Sequence, residues 1–141
     1  MFGRILVPVD GSEYSFRAVK AAASMAEKYG SRVTLLYVVS VPSRNPHYLA
    51  ELPVIPERVV EDLEREGMKI LNKAVGEFKE AQISLEVRVG HPAGEILDEA
   101  GKGYDLIVLG SRGLGGLREF LLGSVSDRVS HHSKCPVMII H

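Results

Sequence analysis

The chain has a single cysteine, Cys135, so no internal disulfide can brace it. With Pro136 beside it, that side chain reads as a small buried apolar residue rather than a reactive thiol. No apolar run approaches the ~20 residues that a membrane span needs. Neither sign of charge is in excess: 17 basic and 18 acidic residues leave a formal net charge of -1. The basic stripe that marks a nucleic-acid surface is therefore missing. The start of the chain reads as a strand and lacks the charged opening and cleavage site of a signal peptide, which makes the cytoplasm the expected location. There is no internal repeat and no domain boundary. The five histidines show no metal-ligand grouping. His131 and His132 are adjacent, so on a helix they point about 100° apart, and all five are read as surface or packing residues.

What is present describes one ordinary globular domain over residues 1–141, with 45% hydrophobic and 25% charged residues. Four apolar runs are continuous: Ile5-Leu6-Val7-Pro8-Val9, Val33-Thr34-Leu35-Leu36-Tyr37-Val38-Val39, Leu106-Ile107-Val108-Leu109 and Val137-Met138-Ile139-Ile140. Continuous runs suit parallel strands covered on both faces. A fifth run, residues 83–89, alternates apolar and polar residues and suits a sheet edge with one wet face.

Helical patterns separate these runs. Ser12 caps a predicted helix that stops at Gly30 and turns Ala18, Val19, Ala22, Ala23 and Ala26 inward. Pro56 opens a second with Val60, Leu63, Gly67, Ile70, Leu71, Ala74 and Phe78 at helical spacing. Pro92 opens a third with Ala93, Ile96, Leu97 and Ala100. Ser124 starts the last, where Ser124 and Asp127 fit a capping box and Val125 and Val129 face inward. Strands alternating with helices imply right-handed crossovers and a parallel, doubly wound α/β sheet. The Pro-rich stretch at 40–55 is too long and polar for a simple connector and reads as a lid or flap.

Ligands of such sheets bind beyond the carboxyl ends of the strands, where the strand order reverses. Two segments lie at such ends. Pro8-Val9-Asp10-Gly11-Ser12 leaves the first strand, and Gly110-Ser111-Arg112-Gly113-Leu114-Gly115-Gly116 leaves the fourth. Glycines in the second segment let backbone N–H groups approach an anion. The helix beginning at Ser124 adds free N–H groups and a favourable dipole. A polyphosphate between the loop and that helix fits this chemistry, with Arg112 and Arg118 as added positive charge or as plain solvated arginines. Taken alone, the glycines fit a flexible turn equally well.

The spacing is more specific. Gly110-x-x-Gly113, nine residues, then Gly123-Ser124 resembles the G-x2-G-x9-G-[S/T] signature of the universal stress protein family, ATP-binding subgroup. Residues 5–12, Gly90-His91-Pro92-Ala93 with Glu95-Ile96-Leu97, residues 104–111, and Gly123-Ser124-Val125-Ser126 with Cys135-Pro136-Val137 match other segments of that family in order. The resemblance implies a five-stranded sheet in the order 3-2-1-4-5, of the adenine nucleotide alpha hydrolase-like kind, that binds ATP. By position, Pro8, Val9 and Asp10 would line the adenine and ribose end, and Val38 or Val39 would approach the base. Gly110, Gly113, Gly123 and Ser124 would hold ribose and phosphates, with a backbone N–H from Val125. Ser111, Arg112, Gly115 and Gly116 complete the loop. Asp10 would place Mg2+ or Mn2+ through water, or else serve only as a turn residue before Gly11.

In that strand order the last strand is an edge, and an apolar edge needs cover. The resemblance implies a homodimer through Val137, Met138, Ile139 and Ile140. The expected function is an ATP-dependent regulatory or stress-response module, with at most slow ATP hydrolysis and a protein partner that the sequence does not identify. Three other readings compete. An adenylating ATP pyrophosphatase would carry S-G-G-x-D-S where this chain has Val9-Asp10-Gly11-Ser12, and no set of nucleophile, base and orienting group is recognisable. A phosphoacceptor receiver would need paired acids where Asp10 stands alone. A nucleotide-independent dimeric scaffold would keep the glycines for structure only.

Overall fold

The computed structural model describes residues 2–41, 55–114 and 121–141. The stretch read as a lid at 40–55 lies almost wholly outside them, as do Gly115, Gly116 and Arg118. Among the described residues the elements run β1 (Arg4–Pro8), α1 (Glu13–Tyr29), β2 (Arg32–Ser40), α2 (Glu57–Val75), β3 (Gln82–Gly90), α3 (Pro92–Ala100), β4 (Leu106–Gly110), α4 (Ser124–His132) and β5 (Val137–Ile140). The strands form one parallel sheet in the order β3-β2-β1-β4-β5.

Alternation along each strand sends side chains to two separate cores. Ile5, Val7 and Val9 join Val33, Leu35 and Val108 beneath α1 and α2. Leu6, Leu36, Ile107 and Leu109 pack beneath α3 and α4. A strand buried on both faces therefore reads as one continuous apolar run, whereas the edge strand β3 alternates. Small residues bring the helices close. Ala18, Ala22 and Ala26 of α1 are buried, and a Cβ on Gly67 of α2 would strike the Tyr37 ring of β2. No described helix is long and apolar enough to cross a membrane.

The α1 boundaries follow the expected signals. Ser12 Oγ accepts from Ser15 N at 3.1 Å, and Gly30 closes the helix at φ +67°. Other local expectations are corrected. The last helix is capped by Gly123 and not by Ser124: Gly123 is extended (φ -62°, ψ 157°) and its carbonyl accepts from Asp127 N at 2.9 Å. Ser124 is therefore already the first helical residue, and no side-chain capping bond forms. Phe78 falls beyond α2 and packs on the first core from the following turn. Ala23 and Cys135 are half-buried rather than buried.

One buried charge has no counterpart in the sequence reading. Glu99 of α3 keeps only 3% of its side chain exposed, pairs with Arg88 of β3, and lies 2.9 Å from Lys102 Nζ. The Tyr104 hydroxyl is 2.8 Å from Glu99 Oε1 and 2.9 Å from Thr34 Oγ1. Burial alone would push the Glu99 carboxyl up. The hydrogen bonds from Lys102 and Tyr104 and the charges of Arg88 and Lys102 outweigh it and hold the carboxyl below the usual glutamate range. A depressed carboxyl stabilises the fold above the unfolded glutamate pKa of about 4.3, and that stability is lost as pH falls through the folded value. Glu99→Gln, which leaves Arg88 without its buried partner, is expected to cost roughly 2 kcal/mol near neutral pH. In urea denaturation the gap between wild type and variant should narrow as pH falls below the unfolded glutamate value of about 4.3 and through the lower folded one. A gap independent of pH would show that the charge is not what stabilises.

Candidate functional site

β1 lies between β2 and β4, so the chain leaves its carboxyl end and that of β4 toward opposite faces, which opens a crevice. A cavity of about 330 Å³ occupies it. Its apolar lining is formed by Val9, Leu36, Val38, Ile96 and Leu109 with Pro8 and Pro92. Polar residues and glycines supply Asp10, Ser15, Gly110, Arg112, Gly113, Gly123, Ser124 and Ser126. Tyr37, Ser40, Leu114 and Val125 complete the lining.

Two glycines let this wall close. A Cβ on Gly110 would stand 2.7 Å from the Tyr14 carbonyl carbon and 2.8 Å from its Cβ, so a bare Cα lets the first turn of α1 rest on the end of β4. A Cβ on Gly113 would stand 2.6 Å from Asp10 Oδ2. The Asp10 carboxylate joins the two loops: Oδ1 accepts from Ser12 N at 2.9 Å, and Oδ2 accepts from Leu114 N at 3.2 Å. Asp10 is thus a turn residue and a cross-loop tie at once. Burial, then the negative charges of Asp10 and Glu66, raise the pKa of the neighbouring Tyr37 phenol.

The second loop is anchored from behind by Ser111. Its N–H donates to Ile140 O at 2.8 Å, while its carbonyl accepts from Gly123 N at 2.7 Å and Ser126 Oγ at 2.8 Å. These bonds seat the start of α4 against the end of β4. The first N–H groups of a helix have no partner within it, so α4 offers donors at the cavity edge.

Of the residues read from the sequence, the structure brings Pro8, Val9, Asp10, Val38, Gly110, Arg112, Gly113, Gly123, Ser124 and Val125 to this cavity. It does not bring Val39, which shares a strand face with Leu35 and is buried. Nor does it bring Ser111, which is 1% exposed and spends its backbone on the anchoring bonds. Gly115 and Gly116 lie outside the described residues. Sequence reasoning missed Ser15, Leu36, Tyr37, Ser40, Pro92, Ile96, Leu109, Leu114 and Ser126. Leu36 was findable, because alternation puts it on the face of Val38. Pro92 and Ile96 were not, since they arrive on α3 from the far edge of the sheet. Among the described residues no three His, Cys, Asp or Glu side chains are grouped to hold a metal.

A doubly wound α/β domain with a cavity at its switch point, closed by a glycine loop and a helix start, defines a class of small-ligand-binding domains. The sequence profile described as the universal stress protein family matches residues 1–141. The universal stress protein YxiE of Bacillus subtilis is 38% identical over 147 residues, covering 99% of this chain and 99% of that protein. Universal stress protein MJ0577 of Methanocaldococcus jannaschii is 30% identical, with 99% and 95% covered. The structure solved for protein MJ0577 superposes with a TM-score of 0.83 at 29% identity, covering 99% of this chain and 96% of that one. A universal stress protein solved in complex with cAMP superposes with a TM-score of 0.67 at 26% identity, covering 99% and 96%. The chain belongs to the universal stress protein family.

The two glycines make different demands. Gly110→Ala would press a methyl group against Tyr14 backbone and is expected to cost about 1–3 kcal/mol. Gly113→Ala meets only the movable end of the Asp10 side chain and should cost less than about 1 kcal/mol. Guanidinium denaturation of both variants decides it, and equal costs would contradict this division of roles.

Proposed function

We propose that the cavity binds ATP and that the protein is a nucleotide-dependent regulatory module of the stress response. The observation that carries this reading is the make-up of one cavity, which brings apolar Val38 and Ile96 together with Gly110, Gly113, Gly123 and the start of α4. The apolar residues suit the flat faces of a purine. Asp10 would meet the ribose, and Gly113, Gly123, Ser124 and the N–H of Val125 would meet the phosphates. The volume of about 330 Å³ falls at the lower end of small-molecule sites, which run from roughly 300 Å³ upward. The cAMP complex of a relative supports an adenine nucleotide as the ligand class.

Mg2+ or Mn2+ would come with the nucleotide. Mg2+ rests mainly on phosphate oxygens and water with one or two carboxylates, and Asp10 is the one carboxylate among the described lining residues. Bound there, the ion would neutralise phosphate charge. Because the Asp10 oxygens already accept two backbone N–H groups and no His or Lys lines the described cavity, hydrolysis would be slow at most. A module that holds its nucleotide suits a switch read by a protein partner.

β5 pairs with β4 along one side only among the described residues, and Met138 is 37% exposed. We read this apolar edge as the seam of a homodimer with a second β5, the paired edge hiding its free backbone groups.

Calorimetric titration of nucleotide-free protein with ATP, with and without Mg2+, is expected to give micromolar binding that Gly113→Val abolishes by displacing the Asp10 carboxylate. Absence of heat with ATP, ADP and AMP alike would leave a scaffold with a structural glycine loop. Light scattering at micromolar concentration should give the mass of a dimer, and Met138→Lys should shift it toward monomer. A monomeric wild type would refute the seam.

A further inference from the structure

We propose that Arg112 makes the site selective for nucleotides with distal phosphates, binding them in place of its resting contact with Tyr14. The inference rests on the nucleotide reading of the same cavity and goes beyond it by naming what separates a triphosphate from a monophosphate.

Arg112 is the one cationic side chain in the described lining. Among the described residues no carboxylate pairs with it. Its Nε is buried and has no hydrogen-bond partner among the described residues. One terminal nitrogen donates a long bond of 3.4 Å to the Tyr14 hydroxyl, and the guanidinium stands 5.4 Å from the centre of that ring. These are weak attachments for a group whose fork of donors matches phosphate oxygens. Arg17 stacks on the same ring at 5.1 Å, yet it pairs with Glu13 at 2.5 Å and does not line the cavity. Of the two cations on Tyr14, then, only Arg112 is both uncommitted and inside.

Its position sets the selectivity. The Arg112 backbone lies against Gly123, where an added Cβ would come within 3.3 Å of Arg112 Cα. The backbone of Arg112 is therefore next to the N–H donors of α4, while the side chain extends from there toward α1. A phosphate bonded directly to the ribose is served by those N–H donors. Oxygens further along a polyphosphate need a second set of donors, and the orphaned guanidinium supplies it. A monophosphate leaves Arg112 on Tyr14.

The test is calorimetry with ATP, ADP and AMP on wild type, Arg112→Gln and Arg17→Gln. Arg112→Gln is expected to weaken ATP binding about tenfold or more, the loss typical of one charge-assisted hydrogen bond, and to leave AMP within about twofold. Retained AMP binding also shows that the variant is folded. Arg17→Gln removes the same charge outside the cavity and should leave the ATP-to-AMP ratio unchanged. Equal losses on ATP and AMP, an unchanged ATP affinity in Arg112→Gln, or an equal effect of Arg17→Gln would each overturn the proposal. A wild type that binds none of the three would instead overturn the nucleotide reading itself, so the two failures appear in different arms.

Discussion

Right-handed crossovers place α1 and α2 on one face of the sheet and α3 and α4 on the other. The change of face happens at β1, whose neighbours are β2 and β4. Everything at the candidate site depends on that reversal. The chain cannot cover the carboxyl ends of β1 and β4 while leaving them in opposite directions, so a gap opens at the one place where the ends of several elements meet. The parts that bound it are short: a turn after β1, a glycine loop after β4, and the starts of α3 and α4.

The gap is narrow because side chains are absent where backbone must approach backbone. Gly110 admits the first turn of α1, and Gly123 lies against Arg112 and Ser111. The Asp10 carboxylate, accepting from Ser12 N and Leu114 N, then ties the two loops together. The charge in the described lining is asymmetric, since Asp10 accepts two backbone N–H groups while Arg112 Nε has no partner among the described residues.

The apolar wall depends on a different set of contacts. Pro92 and Ile96 reach the cavity from α3, whose other end is held by Glu99 against Arg88, Tyr104 and Lys102. No residue of that cluster lines the cavity, yet the cluster fixes how α3 lies on the sheet. His91 caps the same helix by accepting from Gly94 N at 3.5 Å, so α3 is secured at both ends.

The order of elements, the two buried faces and the glycine-rich exit from β4 were all legible in the sequence, because each is written in local pattern. Continuous apolar runs, helical spacing and Gly30 act within a few residues of where they stand. The tertiary structure alone decided which residues meet. Residues 104 positions apart form the Asp10–Leu114 bond. Val38 lines the cavity while Val39 is buried, a matter of how the neighbouring elements pack on β2. Glu99 is buried because β3 and the Tyr104 turn close around it. Gly123 is extended, with its N–H bound to Ser111 O and its carbonyl accepting from Asp127 N, so it caps the helix and Ser124 begins it. Periodicity specifies what an element is and which face is apolar. Register and crossing direction, set by packing over the whole chain, specify what that face touches.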